Sequence, residues 1–334
     1  MLTPQLASIF ERFNHLKVLI LGDVMIDSYL WGKVDRISPE APVPIVSVTK
    51  IENRLGGAAN VALNVAALGA KPIICSVVGD DGKADLMNQL LAESELSTEG
   101  LVRSDHRPTT VKTRVISSGQ HLLRVDEEKT ELLNDAESAG LINRFDQLIN
   151  EEAIDVVIMQ DYNKGVLSEE VITKVIEKCR EKGIPTAVDP KKDQFLSYRL
   201  VDLFKPNLKE LREGLKVELN DDDFMESLQR AVKELEAKLQ NKMSLITLSE
   251  RGMACSTDNC WIHLPAHDRK IIDVSGAGDT VISVAALCLA LELEPEITAS
   301  LSNLAGGLVC ESVGVVPIEK DQLLSEAGLL NPTR

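Results

Sequence analysis

Five short apolar runs constrain the fold most: residues 18–21, 73–78, 156–159, 186–188 and 245–248. They are rich in Val, Ile and Leu and mostly unalternating, as strands are when both faces of a sheet are covered. Helical patterns separate them at 58–68, 83–91, 136–150, 169–182 and 222–240. The repeated strand–helix order predicts an α/β chain with a doubly wound, mostly parallel sheet and helices on both faces. Such sheets bind ligands outside the carboxyl ends of their strands. The 334 residues suffice for one large domain or two modest ones, and the 44% apolar content is ordinary.

Two segments break the pattern. Pro42-Val43-Pro44-Ile45-Val46-Ser47-Val48 is β-branched and comes early. Residues 109–116, the polar turn Ser117-Ser118-Gly119-Gln120 and residues 121–126 read as an antiparallel hairpin. Together they predict a small β-sheet standing off the main body, as a lid over a site, a dimer contact, or both.

The net charge of -16 argues against a nucleic-acid partner, whose surface would need an excess of Lys and Arg. Of the six cysteines, Cys75, Cys179, Cys255, Cys260, Cys288 and Cys310, four sit inside apolar runs, as buried free thiols do. Met1-Leu2-Thr3-Pro4-Gln5 lacks a secretory n-region, and no apolar stretch is long enough for a membrane span. The expectation is a cytoplasmic protein with no membrane partner. Cys255, Cys260, His263 and His267 are close enough in sequence to suggest zinc. Their surroundings read instead as a β-hairpin turning at Thr257-Asp258-Asn259.

Chemistry concentrates in Asp273-Val274-Ser275-Gly276-Ala277-Gly278-Asp279-Thr280, which precedes the apolar run 281–291. Glycines at a helix start expose backbone N–H groups, and the macrodipole there favours an anion. Asp279 falls in the first turn, beside that anion. A carboxylate there repels a phosphate but is well placed to take a proton from a hydroxyl attacking it. The alternative is an ordinary Gly-rich loop capped by Asp. A second glycine-rich site, Gly56-Gly57-Ala58-Ala59-Asn60, opens another helix. Gly22-Asp23-Val24-Met25-Ile26-Asp27 ends the first strand with two carboxylates suited to sugar hydroxyls, or to simple turn chemistry. The Walker G-x-x-x-x-G-K-[ST] pattern, the protein-kinase catalytic loop and a G-x-G-x-x-G after the first strand are missing from the sequence. The last omission disfavours a dinucleotide oxidoreductase.

These residues resemble the ribokinase-like (PfkB-type) carbohydrate kinases over essentially the whole chain. Gly56 to Asn60 is similar to that family's first signature and Asp273 to Thr280 to its second. Within the family, several segments resemble the heptose-7-phosphate kinases. They are the string Gly22 to Asp27, Arg36-Ile37-Ser38-Pro39-Glu40-Ala41-Pro42-Val43-Pro44, Leu122-Leu123-Arg124-Val125-Asp126 and Asp161-Tyr162-Asn163-Lys164-Gly165. The resemblance implies a single ribokinase-like three-layer domain over 1–334, with lid strands at approximately 24–50 and 108–126. It implies ATP-dependent phosphorylation of D-glycero-D-manno-heptose 7-phosphate at its anomeric hydroxyl, on the route to ADP-heptose and the lipopolysaccharide core. A kinase for another sugar, sugar phosphate or nucleoside is the first alternative. A non-catalytic sugar-binding regulator is the second, and a base at Asp279 argues against it.

Carried over residue by residue, the resemblance makes Asp279 the general base and Gly276, Ala277 and Gly278 the anion hole for the γ-phosphate. Asp27, Gly56, Gly57 and Asn60 would bind the sugar, with Arg124, Lys164 and Lys191 meeting its phosphate. Asn207, Glu210, Ser249, Gly252 and Asn303 would line the ATP site. Glu210 would hold Mg²⁺ through water, and Asp273 would help hold a monovalent cation, K⁺. Three positions depart from the pattern: Lys205 stands where relatives often carry Thr, Ser275 replaces the commoner Thr, and Glu311 replaces a residue often basic in the heptose kinases. These residues hold no nucleotidyltransferase H-x-G-H motif, so the resemblance implies a kinase alone. A homodimer through the lid is expected, because its apolar strands exceed what a small projecting sheet can bury by itself.

Overall fold

The computed structural model describes residues 4–329. Helix α1 (Pro4–Phe13) leads into β1 (Lys17–Gly22), β2 (Val24–Ile37), β3 (Pro44–Gly57), α2 (Ala58–Ala67), β4 (Lys71–Gly79) and α3 (Gly82–Glu93). Next come β5 (Leu101–Ser104), β6 (Val111–Ser117), β7 (Gln120–Glu127), α4 (Asp135–Glu151), β8 (Val156–Gln160), α5 (Glu169–Lys182) and β9 (Thr186–Asp189). The chain continues through β10 (Leu203–Phe204), α6 (Leu208–Leu215), α7 (Phe224–Leu239), β11 (Met243–Thr247), β12 (Met253–Thr257) and β13 (Trp261–Leu264). Helices α8 (Ala277–Ala290), α9 (Pro295–Val309) and α10 (Lys320–Ala327) complete it.

Among the described residues, nine strands form the main sheet in the order β13-β12-β11-β10-β9-β8-β1-β4-β5. All pairs from β11 to β5 are parallel, while β12 and β13 add an antiparallel edge. Strand β1 shows why the sequence reads as unbroken apolar runs. Val18 and Ile20 enter one core cluster with α1, α2, α3, α8, α9 and α10; Leu19 and Leu21 enter a second with α4, α5, α6 and α7. Successive side chains point to opposite faces, and helices cover both. The predicted α/β fold is the observed one. Helix α5 occupies the predicted residues because Ser168 caps its start and Gly183, in the left-handed region, ends it. Helix α8 is apolar nearly all round and is buried accordingly.

The predicted strands miss β5 and β10, which have four and two residues and are too short to leave a pattern. Strand β10 lies between β9 and β11, so its neighbours supply its pairing. The 252–264 region is the expected hairpin, with Ser256 opposite Trp261. The six cysteines are free. Among the described residues, no helix is long and apolar enough to cross a membrane.

The small sheet forms with the order β3-β2-β6-β7. Its strand β3 runs on to Gly57, so the first glycine pair ends a lid strand and starts α2 in one step. Register places Arg54, Asp27, Lys112 and Asp126 in one cross-strand row, and Glu52, Tyr29, Arg114 and Arg124 in the next on the same face. The opposite face carries the row Ile51, Leu30, Val115 and Leu123.

Candidate active site

Helix α8 begins after Gly276, whose φ of 82° is in the left-handed region. The Asp273 carboxylate steadies the preceding loop: it accepts from the backbone N–H of Ser275 and of Gly314, each at 2.9 Å. Those N–H groups hold its carboxyl below the usual range, the Ser275 bond most. The first turn of α8 thus presents the Gly276–Gly278 backbone at one end of a cleft of about 1440 Å³, with Asp279 beside it.

Asp279 is buried, and three side chains reach its carboxylate. Asn60 Nδ2 donates to Oδ2 at 2.6 Å. The Tyr162 hydroxyl and Gln160 Nε2 donate to Oδ1 at 2.7 and 3.2 Å. Burial pushes its pKa up to about 6, against the Asn60 and Tyr162 hydrogen bonds. Asp189 adds to the rise, and Lys205 opposes it. The two glycine-rich motifs therefore meet: Asn60 comes from the first turn of α2, and Asp279 from that of α8.

The carboxyl ends of the strands supply the rest. Gln160 ends β8, Asp189 ends β9, and Lys205 follows β10. Lys205 Nζ lies 3.1 Å from Asp189 Oδ1, and both side chains are buried. Asn207 and Glu210 form a capping box at the start of α6, with reciprocal bonds of 2.8 Å. The other Glu210 oxygen pairs with Lys191. Ser249 and Gly252 bound a short 3₁₀ turn, both with positive φ. Asn303 Nδ2 donates to the Pro265 carbonyl at 2.9 Å. Lys191, Asn207, Glu210, Ser249, Gly252 and Asn303 all line the cleft that reaches Asp279. Lys191 thus faces the cleft beside Glu210.

On the lid, Asp27 pairs with Arg114. The Arg54 and Arg114 guanidinium groups lie over the Tyr29 ring, 5.0 and 5.3 Å from its centroid. Arg124 shares that face and pairs with Asp126 at 2.8 Å. Lys164 pairs with Glu128 at 2.8 Å near the lid base. A side chain at Gly56 would press on the Asp27 carboxylate. Asp23, the other carboxylate of the first strand's end, is buried. It accepts from the backbone N–H of Tyr162, Lys164 and Val166 at 2.7, 3.1 and 3.1 Å. It therefore holds the loop after β8, which is its structural use here.

Sequence reasoning did not single out Tyr162, Gln160, Asp189, Arg54 or Arg114 as site residues. Gln160 and Asp189 had one available signal, a polar residue closing an apolar strand. Arg114 had another, the period of two in a strand facing a hairpin partner.

Residues 15–321 match the pfkB family carbohydrate kinases. The chain is similar to the bifunctional protein HldE of Citrifermentans bemidjiense, 38% identical over 325 residues, which are 97% of this chain and 66% of that protein. It is 40% identical to HldE of Coxiella burnetii over 317 residues, 95% of this chain and 64% of that one. The chain thus spans slightly under two thirds of the length of these curated relatives. Among solved structures, phosphofructokinase-2 from Escherichia coli in complex with potassium has a TM-score of 0.75 at 21% identity, covering 94% of this chain and 98% of that one. Ribokinase from Arabidopsis thaliana, complexed with ribose and ATP, has a TM-score of 0.69 at 17% identity, covering 92% and 98%. These two share the fold; the match over residues 15–321 goes further, and the chain belongs to the pfkB family of carbohydrate kinases.

Proposed function

We propose that this chain transfers the γ-phosphoryl group of ATP to the anomeric hydroxyl of D-glycero-D-manno-heptose 7-phosphate, giving the 1,7-bisphosphate in ADP-heptose synthesis. The observation that carries the reading is the buried Asp279 carboxylate, in the first turn of α8 after the glycine-rich loop and hydrogen-bonded to Asn60 of the other glycine-rich motif. The similarity to HldE proteins supports the choice of sugar.

In this reading Asp279 takes the hydroxyl proton as the sugar oxygen attacks the γ-phosphorus and the bond to ADP breaks. Backbone N–H groups of Gly276 and Gly278 meet the charge on the transferring group, joined by that of Ala277 when its 3.3 Å bond to the Val274 carbonyl opens. ATP lies along the cleft past Asn207, Ser249, Gly252 and Asn303. The donors fit Mg²⁺, which keeps several waters and takes few protein carboxylates: Glu210 faces the cleft and would hold it through water. When bound, Mg²⁺ neutralises phosphate charge. Lys191 beside Glu210 serves the nucleotide side, and Asp273 is the candidate for K⁺. Asp27, Gly56, Gly57 and Asn60 shape the sugar pocket. Arg114 and Arg124 on the lid, with Lys164 at its base, meet the sugar phosphate, and Arg54 adds charge nearby.

We also read the chain as one kinase unit that is cytoplasmic and homodimeric through the lid. Its free thiols and the apolar outer row of the lid support this. The test is a screen of ADP release with ATP and Mg²⁺ against phosphorylated and plain sugars, with ³¹P NMR to identify an anomeric phosphate. A higher kcat/KM on a plain sugar or nucleoside would overturn the proposed substrate.

A further inference from the structure

The three donors on Asp279 divide its carboxylate unequally. Oδ1 accepts two hydrogen bonds, from Tyr162 Oη and Gln160 Nε2. Among the described residues, Oδ2 accepts from Asn60 Nδ2 alone. Each carboxylate oxygen offers about two lone-pair sites, so Oδ1 is filled and Oδ2 has one open. We propose that Oδ2 is the atom that takes the substrate proton, and that Tyr162, assisted by Gln160, is a positioning residue that occupies Oδ1 and keeps the carboxylate aimed. This rests on the reading of Asp279 as the base.

Tyr162 is held for that task from two sides. Asp23 fixes its backbone N–H at 2.7 Å, and the Lys191 ammonium lies 5.5 Å from its ring centroid. Burial and the nearby carboxylates of Asp279, Asp189 and Asp27 keep the phenol protonated, so it remains a donor throughout the working pH range. The other charged groups near Asp279 are Asp189 from β9, Lys205 after β10 and Lys191 after β9. Asp189 and Lys205 pair with each other, and Gln160 Nε2 is shared between Asp279 Oδ1 and Asp189 Oδ2, at 3.2 Å from each, so Tyr162 supplies the main hydrogen bond that favours the ionised carboxylate on Oδ1.

The experiment is the pH profile of kcat/KM for wild type, Tyr162→Phe and Gln160→Met, using whichever sugar the wild type phosphorylates. Losing a donor favours the protonated acid, so the acid limb should move up by about one unit in Tyr162→Phe and by less in Gln160→Met. The KM for ATP should stay within about twofold. A pH-independent loss with an unmoved limb would overturn the positioning role. If Tyr162→Phe does not fold, Gln160→Met decides alone, an upward shift supporting the role and an unmoved limb overturning it. Retained activity in Asp279→Asn would instead sink the base assignment, and this proposal with it.

Discussion

Asn60 and Asp279 stand 219 positions apart in the chain, and their side chains meet at 2.6 Å. That hydrogen bond joins the amino ends of α2 and α8, so the two glycine-rich motifs form one site.

Replacing Asp279 by Asn removes the proposed base and keeps its shape. The loss in kcat should be ~10²–10⁴-fold, with nucleotide affinity retained. Steady-state kinetics and nucleotide titration check it; a variant retaining about a tenth of kcat or more would not have lost its base.

The same substitution should stabilise the protein in a pH-dependent way. The Asp279 carboxyl titrates near 6 when folded, against an ordinary 3.8. The folded state then binds the proton more tightly, so wild-type stability falls as pH rises between those values. The gain from Asn should be small at pH 4 and reach at most about 3 kcal/mol at pH 8. Urea unfolding at both pH values measures it. An equal effect at the two would show that Asp279 is not raised.

Arg114→Ala and Arg124→Ala should each lower kcat/KM on the phosphorylated sugar by about ten- to a hundredfold. The loss on the unphosphorylated sugar should be at least several times smaller. Equal losses on both would remove the lid arginines from phosphate recognition.

Glu210→Gln keeps the capping geometry and deletes one charge. The Mg²⁺ concentration for half-maximal activity should rise about 10–100-fold, the scale of an outer-shell ligand change. A Mg²⁺ titration of activity tests this, and an unchanged midpoint would count against Glu210.

Dimerisation should depend on the outer row of the lid, where Ile51 and Leu123 are 61% and 60% exposed. Sedimentation should give a dimer at micromolar concentration, and Leu123→Asp should shift it to monomer. A wild-type monomer would refute the lid interface.

The sequence by itself determined the layers. Strands β1, β8 and β9 are covered on both faces and leave unbroken apolar runs, and α5 carries its own start and stop in Ser168 and Gly183. It also placed Gly276 through Asp279 together at the start of α8, since they are neighbours whose relation follows from one helical turn. The tertiary structure decided which groups share that site. Tyr162 and Gln160 reach Asp279 from 117 and 119 positions away, and Arg114 reaches Asp27 across 87. Local spacing specifies what lies one turn or one strand register away. Which strand ends lie side by side is set by the order β10-β9-β8-β1, and that order comes from packing helices on both faces of the whole sheet.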